Sequence, residues 1–323
     1  MTSVTLSSQF VKAEAVRLGF NACGLCRATR VESSHLRRLS EFVERGEQGE
    51  MDYLARNTEV RANPSRLVER AQTIVSVALS YYPSQHMPSH APRLSFYAYG
   101  KDYHVVVRNR LQTLLESLRE AYIRDGGAAD DFEGRAFCDT APLPERYWAW
   151  KAGLGWIGRN TQLILPQLGS YFFLGELIVS VPADAYDSPI PSDCGDCRRC
   201  LDACPMHALT DSGHIDARRC LSYLTIEQRG PLSPEARRAM GSTLYGCDRC
   251  QLCCPHNLHP VPTTVDEFMP SEELLKMKES DWLNLTHEEW CRLFRGSAVK
   301  RAKYEGFMRN VNAVLGKKEE SEE

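Results

Sequence analysis

Apolar residues recur at helical spacing from the first segment of the chain. Val11, Ala15, Val16 and Leu18 gather on one side of a helix that Ser8 can cap and Gly19 can stop. A second stretch, around His35 to Glu44, carries Leu36, Leu39, Phe42 and Val43 and ends at Gly46. The run TIVSVAL, Thr73 to Leu79, predicts a buried strand. From Tyr103 to Arg124 the pattern places Val107, Leu111, Leu114, Leu115, Leu118 and Tyr122 along one long helix, stopped by Gly126 and Gly127. Apolar runs at Ala136 to Cys138, Gln162 to Leu165 and Tyr171 to Val181 predict further strands. Helices alternating with strands indicate an α/β or α+β layered domain.

That pattern breaks at Pro182, Pro189 and Pro191, in PADAYDSPIPSD. The break sets an expected boundary, with a catalytic domain over 1–181, a cysteine-rich domain over 182–262 and helices over 263–323. The charged tail is expected to be disordered. Net charge is −3, of which Lys317, Lys318, Glu319, Glu320, Glu322 and Glu323 supply −2. The remainder is near neutral, which argues against nucleic-acid binding driven by bulk charge. The N-terminus lacks a basic-then-apolar leader, and no run approaches ~20 apolar residues, so a cytoplasmic chain outside the membrane is expected. In a reducing compartment its 13 cysteines read as ligands or redox groups before disulfides.

Nine of those 13 cysteines fall between Cys194 and Cys254. The first motif is Cys194-x2-Cys197-x2-Cys200-x3-Cys204-Pro205, the second Cys247-x2-Cys250-x2-Cys253-Cys254-Pro255. Two-residue gaps let one loop wrap a 4Fe–4S cube, while the cysteine before proline reaches the other cluster. Cluster one then takes Cys194, Cys197, Cys200 and Cys254. Cluster two takes Cys204, Cys247, Cys250 and one more, Cys253 or Cys220. Zinc ribbons use separated C-x2-C pairs instead. Two adjacent centres imply electron transfer inward from an external low-potential donor of ferredoxin or flavodoxin type.

Gly153-x-Gly155-x-x-Gly158 satisfies a dinucleotide fingerprint, but it follows PERYWAWKA, a predicted helix and not a strand. The glycines read as turns, or as room for backbone to approach something large and flat. Asp139 follows a short strand and reads either as a general acid with a pKa raised by burial or as a helix cap. Cys23 and Cys26 form a lone pair with no assigned role. Tyr99, Tyr103 and His104 flank a polar loop that suits a helix start or a substrate wall.

The runs RLSFYAYGKDYH (Arg93 to His104), CDTAPLPER (Cys138 to Arg146), AGLGWIGRNT (Ala152 to Thr161), GSYFFLGE (Gly169 to Glu176) and RCLSYLTIE (Arg219 to Glu227), with the cysteine array, resemble the epoxyqueuosine reductase family. The likeness runs in the same order from about Gly19 to Gly316. It implies a cobalamin-binding catalytic domain similar to corrinoid reductive dehalogenases, joined to a bacterial ferredoxin-like domain with two 4Fe–4S clusters. It further implies reduction of epoxyqueuosine to queuosine at the wobble position of the tRNA anticodon. Electrons would pass through the clusters to cobalamin, and Asp139 falls on the family's proton donor. Cys220 falls on a cluster-two ligand, leaving Cys253 as an extra cysteine. The GLGWIG segment falls in the corrinoid-binding region. Arg61, in VRANPSRL, falls on a corrinoid contact, and Asp139, Asn160 and Gln228 are further cofactor-contacting positions.

Many family members continue into C-terminal HEAT-like repeats. Here RGSAVKRAKYEGFMRNVNAVLG matches only their start, so the chain reads as a short form, expected to be monomeric. Arg292, Arg295, Lys300, Arg301, Lys303 and Arg309 form either a phosphate-binding face or a solvated basic one. The rival readings are a dehalogenase-like activity on a small molecule and a pure electron carrier.

Overall fold

The run Thr73–Ser80 is buried at every position because protein covers both of its faces. Val75, Val77 and Leu79 belong to one core with Val11, Ala15, Leu111, Leu114 and Leu118. Ile74 and Ala78 belong to a second with Tyr147, Trp148 and Ala149. The structure, a computed structural model, describes residues 4–88 and 91–316; the charged tail, read as disordered, lies outside the described residues.

Among those residues the strands are β1 (Ala22–Arg27), β2 (Thr73–Ser80), β3 (Arg93–Leu94), β4 (Gly134–Phe137), β5 (Trp156–Ile157), β6 (Leu163–Ile164), β7 (Phe172–Val179) and β8 (Thr243–Tyr245). The principal sheet has four strands in the order β1-β2-β7-β4, antiparallel throughout. The fold is thus α+β, without the parallel crossovers of an α/β domain. Helices α1 (Ser8–Arg17) and α4 (Tyr103–Arg124) cover one face and α5 (Glu145–Lys151) the other. Helix α4 has the bounds its periodicity predicts.

Two local expectations need correction. Ser7, not Ser8, caps α1 by accepting the Phe10 N–H at 3.3 Å; the Ser8 N–H donates instead to Asp184. Val16, placed on the apolar side, is 63% exposed. Helix α2 (Ser33–Glu44) forms where expected but buries no residue. Its Leu36, Leu39 and Val43 line a 620 Å³ groove opposite Leu54, Thr58 and Ala62, the last two in α3 (Thr58–Ala62).

The proline-rich segment is tied down: the Asp187 carboxylate accepts from the Leu25 N–H at 2.9 Å and from Lys12 Nζ at 2.6 Å. Strand β3 pairs in parallel with β8. The C-terminal helices pack back over this pair, where Trp282, Trp290, Phe294, Phe307 and Val311 join Leu94, Leu244 and Tyr245. No helix is long and apolar enough to cross a membrane among the described residues.

One buried amide fastens that cap. Asn310 is fully buried, and its Nδ2 donates to the carbonyls of Thr225 at 2.8 Å and Leu244 at 2.9 Å. Removing it strands two buried carbonyls. Asn310→Ala should therefore lower unfolding free energy by about 3 kcal/mol, read from a denaturant titration. A loss under about 0.5 kcal/mol would show that water replaces the amide without penalty.

Candidate active site and cysteine array

Each C-x2-C step of the array leads into a short helical turn, Arg199–Asp202 and Arg249–Leu252, and these turns pack against each other. The two motifs consequently face one another, and the thiols fall into two groups. Cys194 and Cys254 sit against Trp156, Ile164 and Ile190. Cys197 lies within electrostatic reach of Cys254, and Cys200 of Cys194. In the other group, Cys220 and Cys247 pack on the cluster of Met206, Leu221 and Leu224; Cys250 lies beside both, and Cys204 beside Cys220. The cysteine before each proline thus stands with the opposite motif. Cys253 lies between the groups, within reach of Cys197, Cys200 and Cys250. All of these are free cysteines. Among the described residues no three His, Cys, Asp or Glu side chains gather at one ion's position; a four-iron cube holds its thiolates further apart than a single ion does.

Asp139 lies two residues beyond β4, with a left-handed backbone at φ 51°. Its side chain is 63% exposed, yet protein crowds it closely enough that desolvation is the largest influence on its proton. The carboxyl therefore stands in an open cleft with close walls. Tyr103 Oη donates to Oδ2 at 2.5 Å, and His104 Nε2 stands 3.6 Å from the same oxygen. Tyr103 is held by stacking on Phe173 at 4.2 Å. His104 Nδ1 lies 2.6 Å from Asp102, the residue that caps α4 through the His104 N–H.

These contacts decide the protonation states. Desolvation would raise the Asp139 pKa, but the His104 ring beside it and the Tyr103 hydrogen bond prevail and hold it below the usual range. Burial would lower His104, but its contacts with Asp102 and Asp139 raise it to about 9. The expected raised pKa of Asp139 is accordingly not found: at neutral pH the proton rests on His104. The helix-cap reading also fails, because α5 begins after Pro144 with no side-chain cap. Glu145 Oε1 instead accepts the Asp139 N–H at 2.5 Å. Burial first, then the Asp139 charge, pushes Glu145 up to about 8.

The glycine-rich segment runs from the end of α5 into β5, without a dinucleotide fold's strand–turn–helix. A Cβ on Gly155 would lie 2.1 Å from Ile164 O, and one on Gly153, at φ 72°, 2.8 Å from Ser188 O. These glycines admit neighbouring backbone. Asn160 is buried, and its Nδ2 lies 3.5 Å from Cys250 O, so the segment touches the second cysteine motif. Arg61 has a buried Nε with no partner, and burial lowers its pKa. Such an orphaned donor suits a polar group of a bound cofactor. Gln228 closes its own turn onto Pro231 O at 2.8 Å.

Sequence reasoning missed Tyr53, Glu145 and Arg146. Tyr53 is 49% exposed and feels the charges of Glu227, Asp139, Arg301 and Arg61, so it stands among the cleft's charged residues; no pattern marked it. Arg146 donates to Thr161 O at 2.6 Å and adds to the field at Asp139. It and Glu145 close the CDTAPLPER run and were recognisable only as part of it. Of the six basic residues near the C-terminus, Arg292 pairs with Glu273 at 2.5 Å, Arg301 with Glu227 at 2.8 Å, and Arg309 donates to the carbonyls of Leu224, Gln228 and Gly230.

Comparison with known proteins gives this geometry a context. Residues 193–257 match the family model described as "4Fe-4S double cluster binding domain". Residues 61–140 match "Epoxyqueuosine reductase QueG, DUF1730". The epoxyqueuosine reductase of Cyclobacterium marinum is 39% identical over 317 residues, covering 97% of this chain and 98% of that one. An epoxyqueuosine reductase solved with an epoxyqueuosine-modified tRNA-Tyr stem loop superposes at TM-score 0.82, with 31% identity over 95% of this chain and 80% of that one. A Bacillus subtilis epoxyqueuosine reductase, whose aspartate-bearing catalytic loop is swung out of its active site, matches at TM-score 0.81, with 30% identity over 95% and 80%.

The grouping of thiols makes iron content diagnostic. Cys220→Ala should lose most of one cluster's iron, whereas Cys253→Ala should keep about eight irons per chain, two cubes' worth. Iron and labile-sulfide assays after anaerobic reconstitution read this directly, and the opposite ranking would make Cys253 the eighth ligand.

Proposed function

Because the chain belongs to the epoxyqueuosine reductase family, we propose that it reduces epoxyqueuosine in tRNA to queuosine, using two 4Fe–4S clusters and a cobalamin. One juxtaposition supports this reading most: the segment that touches the double-cluster array through Asn160 and Cys250 O is bound at Thr161 O by Arg146, whose charge acts on Asp139. Electrons and protons thus have separate entries to one place. Removing an epoxide oxygen to leave an alkene takes two electrons and two protons and releases water. Bound in the cleft, cobalamin would supply the reducing chemistry.

The chain's own residues take the remaining tasks. Cys194, Cys197, Cys200 and Cys254 hold one cluster; Cys204, Cys220, Cys247 and Cys250 hold the other. Arg61 offers its orphaned Nε to the cofactor, and Asn160 holds the glycine segment against the second motif. Asp139 delivers a proton to the departing oxygen. His104, protonated at neutral pH and anchored by Asp102, is the adjacent source from which Asp139 takes the proton it delivers. A ferredoxin- or flavodoxin-type donor loads the clusters, and the chain acts as a cytoplasmic monomer.

Asp139→Asn tests the proton's route. Asn tolerates the left-handed backbone and still accepts from Tyr103, but it has no proton to deliver. The variant should keep both clusters and cobalamin while losing about 10²-fold in turnover, the scale of general-acid catalysis. Near-normal conversion with the cofactors intact removes Asp139 from the reaction.

The tRNA interface should be local. Lys300 and Lys303 are exposed and carry no ion pair among the described residues, unlike Arg292. Reversing both lysines should weaken tRNA binding and reduce the log Kd–log salt slope by roughly one for each phosphate left unneutralised. Arg292→Ala should leave that slope unchanged. Unchanged tRNA affinity of the lysine-reversed variant at low salt would mean this face does not touch RNA.

A further inference from the structure

The turn that carries Asp139 is held from below. A non-glycine residue keeps a left-handed backbone such as φ 51° only where its surroundings over-determine it. Within the turn, the Asp139 N–H has one acceptor, Glu145 Oε1 at 2.5 Å. Glu145 is the first residue of α5, a helix packed on the sheet through Tyr147, Trp148 and Ala149, so its side chain starts from a rigid base. Behind it lies Glu176 of β7, fully buried, with no hydrogen-bond partner on either carboxyl oxygen. The Glu145 carboxyl is the group within its reach. Burial first pushes both carboxyls up, joined by the Asp139 charge at Glu145 and by the Glu145 charge at Glu176. A proton held between them would tie Glu176 to Glu145 and leave Glu145 Oε1 to accept from Asp139.

We propose that Glu145 is the positioning residue of the proton donor: it latches the Asp139 turn into the cleft, and buried Glu176 holds Glu145 in place through a shared hydrogen. This inference rests on the role given above to Asp139. Its consequence is mechanical. Tyr103 and His104 grip the Asp139 carboxyl from the α4 side, and Glu145 grips its backbone from the α5 side, so the carboxyl keeps one orientation in an otherwise open cleft. Small displacements of a reacting group are costly in rate.

Hydrogen–deuterium exchange over residues 138–144 of the holoenzyme, beside steady-state turnover on epoxyqueuosine-bearing tRNA, tests the latch. In Glu145→Ala, exchange at the Asp139 amide should rise about tenfold or more as the turn opens. Its kcat should fall about tenfold or more with KM for tRNA little changed. Glu145→Gln keeps a carbonyl acceptor and should restore both readings; Glu176→Gln still donates to Glu145 and should also stay near wild type. Unchanged protection in Glu145→Ala, or a Gln variant as open as the Ala variant, overturns the latch. An opened turn with undiminished turnover supports the latch and places the error in the role assigned to Asp139.

Discussion

The register between β4 and β7 sets Phe137 opposite Glu176, and the chemistry of the cleft follows from that pairing. Side chains alternate along a strand, so a slip of β4 by one residue would turn Phe137 to the other face of the sheet. It would also carry Asp139 away from Tyr103 and Glu145. The register is well protected, because β7 pairs with β2 on one side and β4 on the other and both faces of the sheet are buried. A short edge strand, β4, is thereby fixed firmly enough to place the Asp139 carboxyl two residues past its end.

The other half of the machinery comes from the distant end of the chain. The cysteine motifs face each other because two helical turns pack together, and β8, beside the second motif, pairs with β3 of the N-terminal part. Asn160 and Asn310 serve comparable purposes on the two sides: each is a buried amide that ties separate segments by backbone carbonyls. Buried amides of this kind specify position, since only one arrangement satisfies them.

Regularity along the chain is legible wherever a period or a spacing encodes it. Helix α4 and strand β2 appear from apolar pattern alone, and cysteine spacing anticipates a crossed grouping of thiols. The eighth position is not legible from spacing, since Cys220 stands outside both motifs and only the resemblance points to it. Contacts made through tertiary structure are equally hidden. Nothing local distinguishes Ser7 from Ser8 as a cap, because Asp184 decides it from 176 residues away. The state of the Asp139 proton is hidden for the same reason: burial is foreseeable, but the donors Tyr103 and His104 arrive from α4. Glu145 and Glu176 look like a helix start and a strand interior until the fold brings them together.

Electrons from the cysteine array and protons from the Asp139 network meet, on this account, in one cobalamin-loaded cleft. Anaerobic single turnover tests that meeting most directly, with purified chain, a low-potential reductant and tRNA bearing epoxyqueuosine, followed by nucleoside analysis. Queuosine is expected only when both clusters and cobalamin are present, with up to one product per loaded chain. Full cluster reduction and bound cobalamin without queuosine, or equal conversion with cobalamin left out, would contradict it.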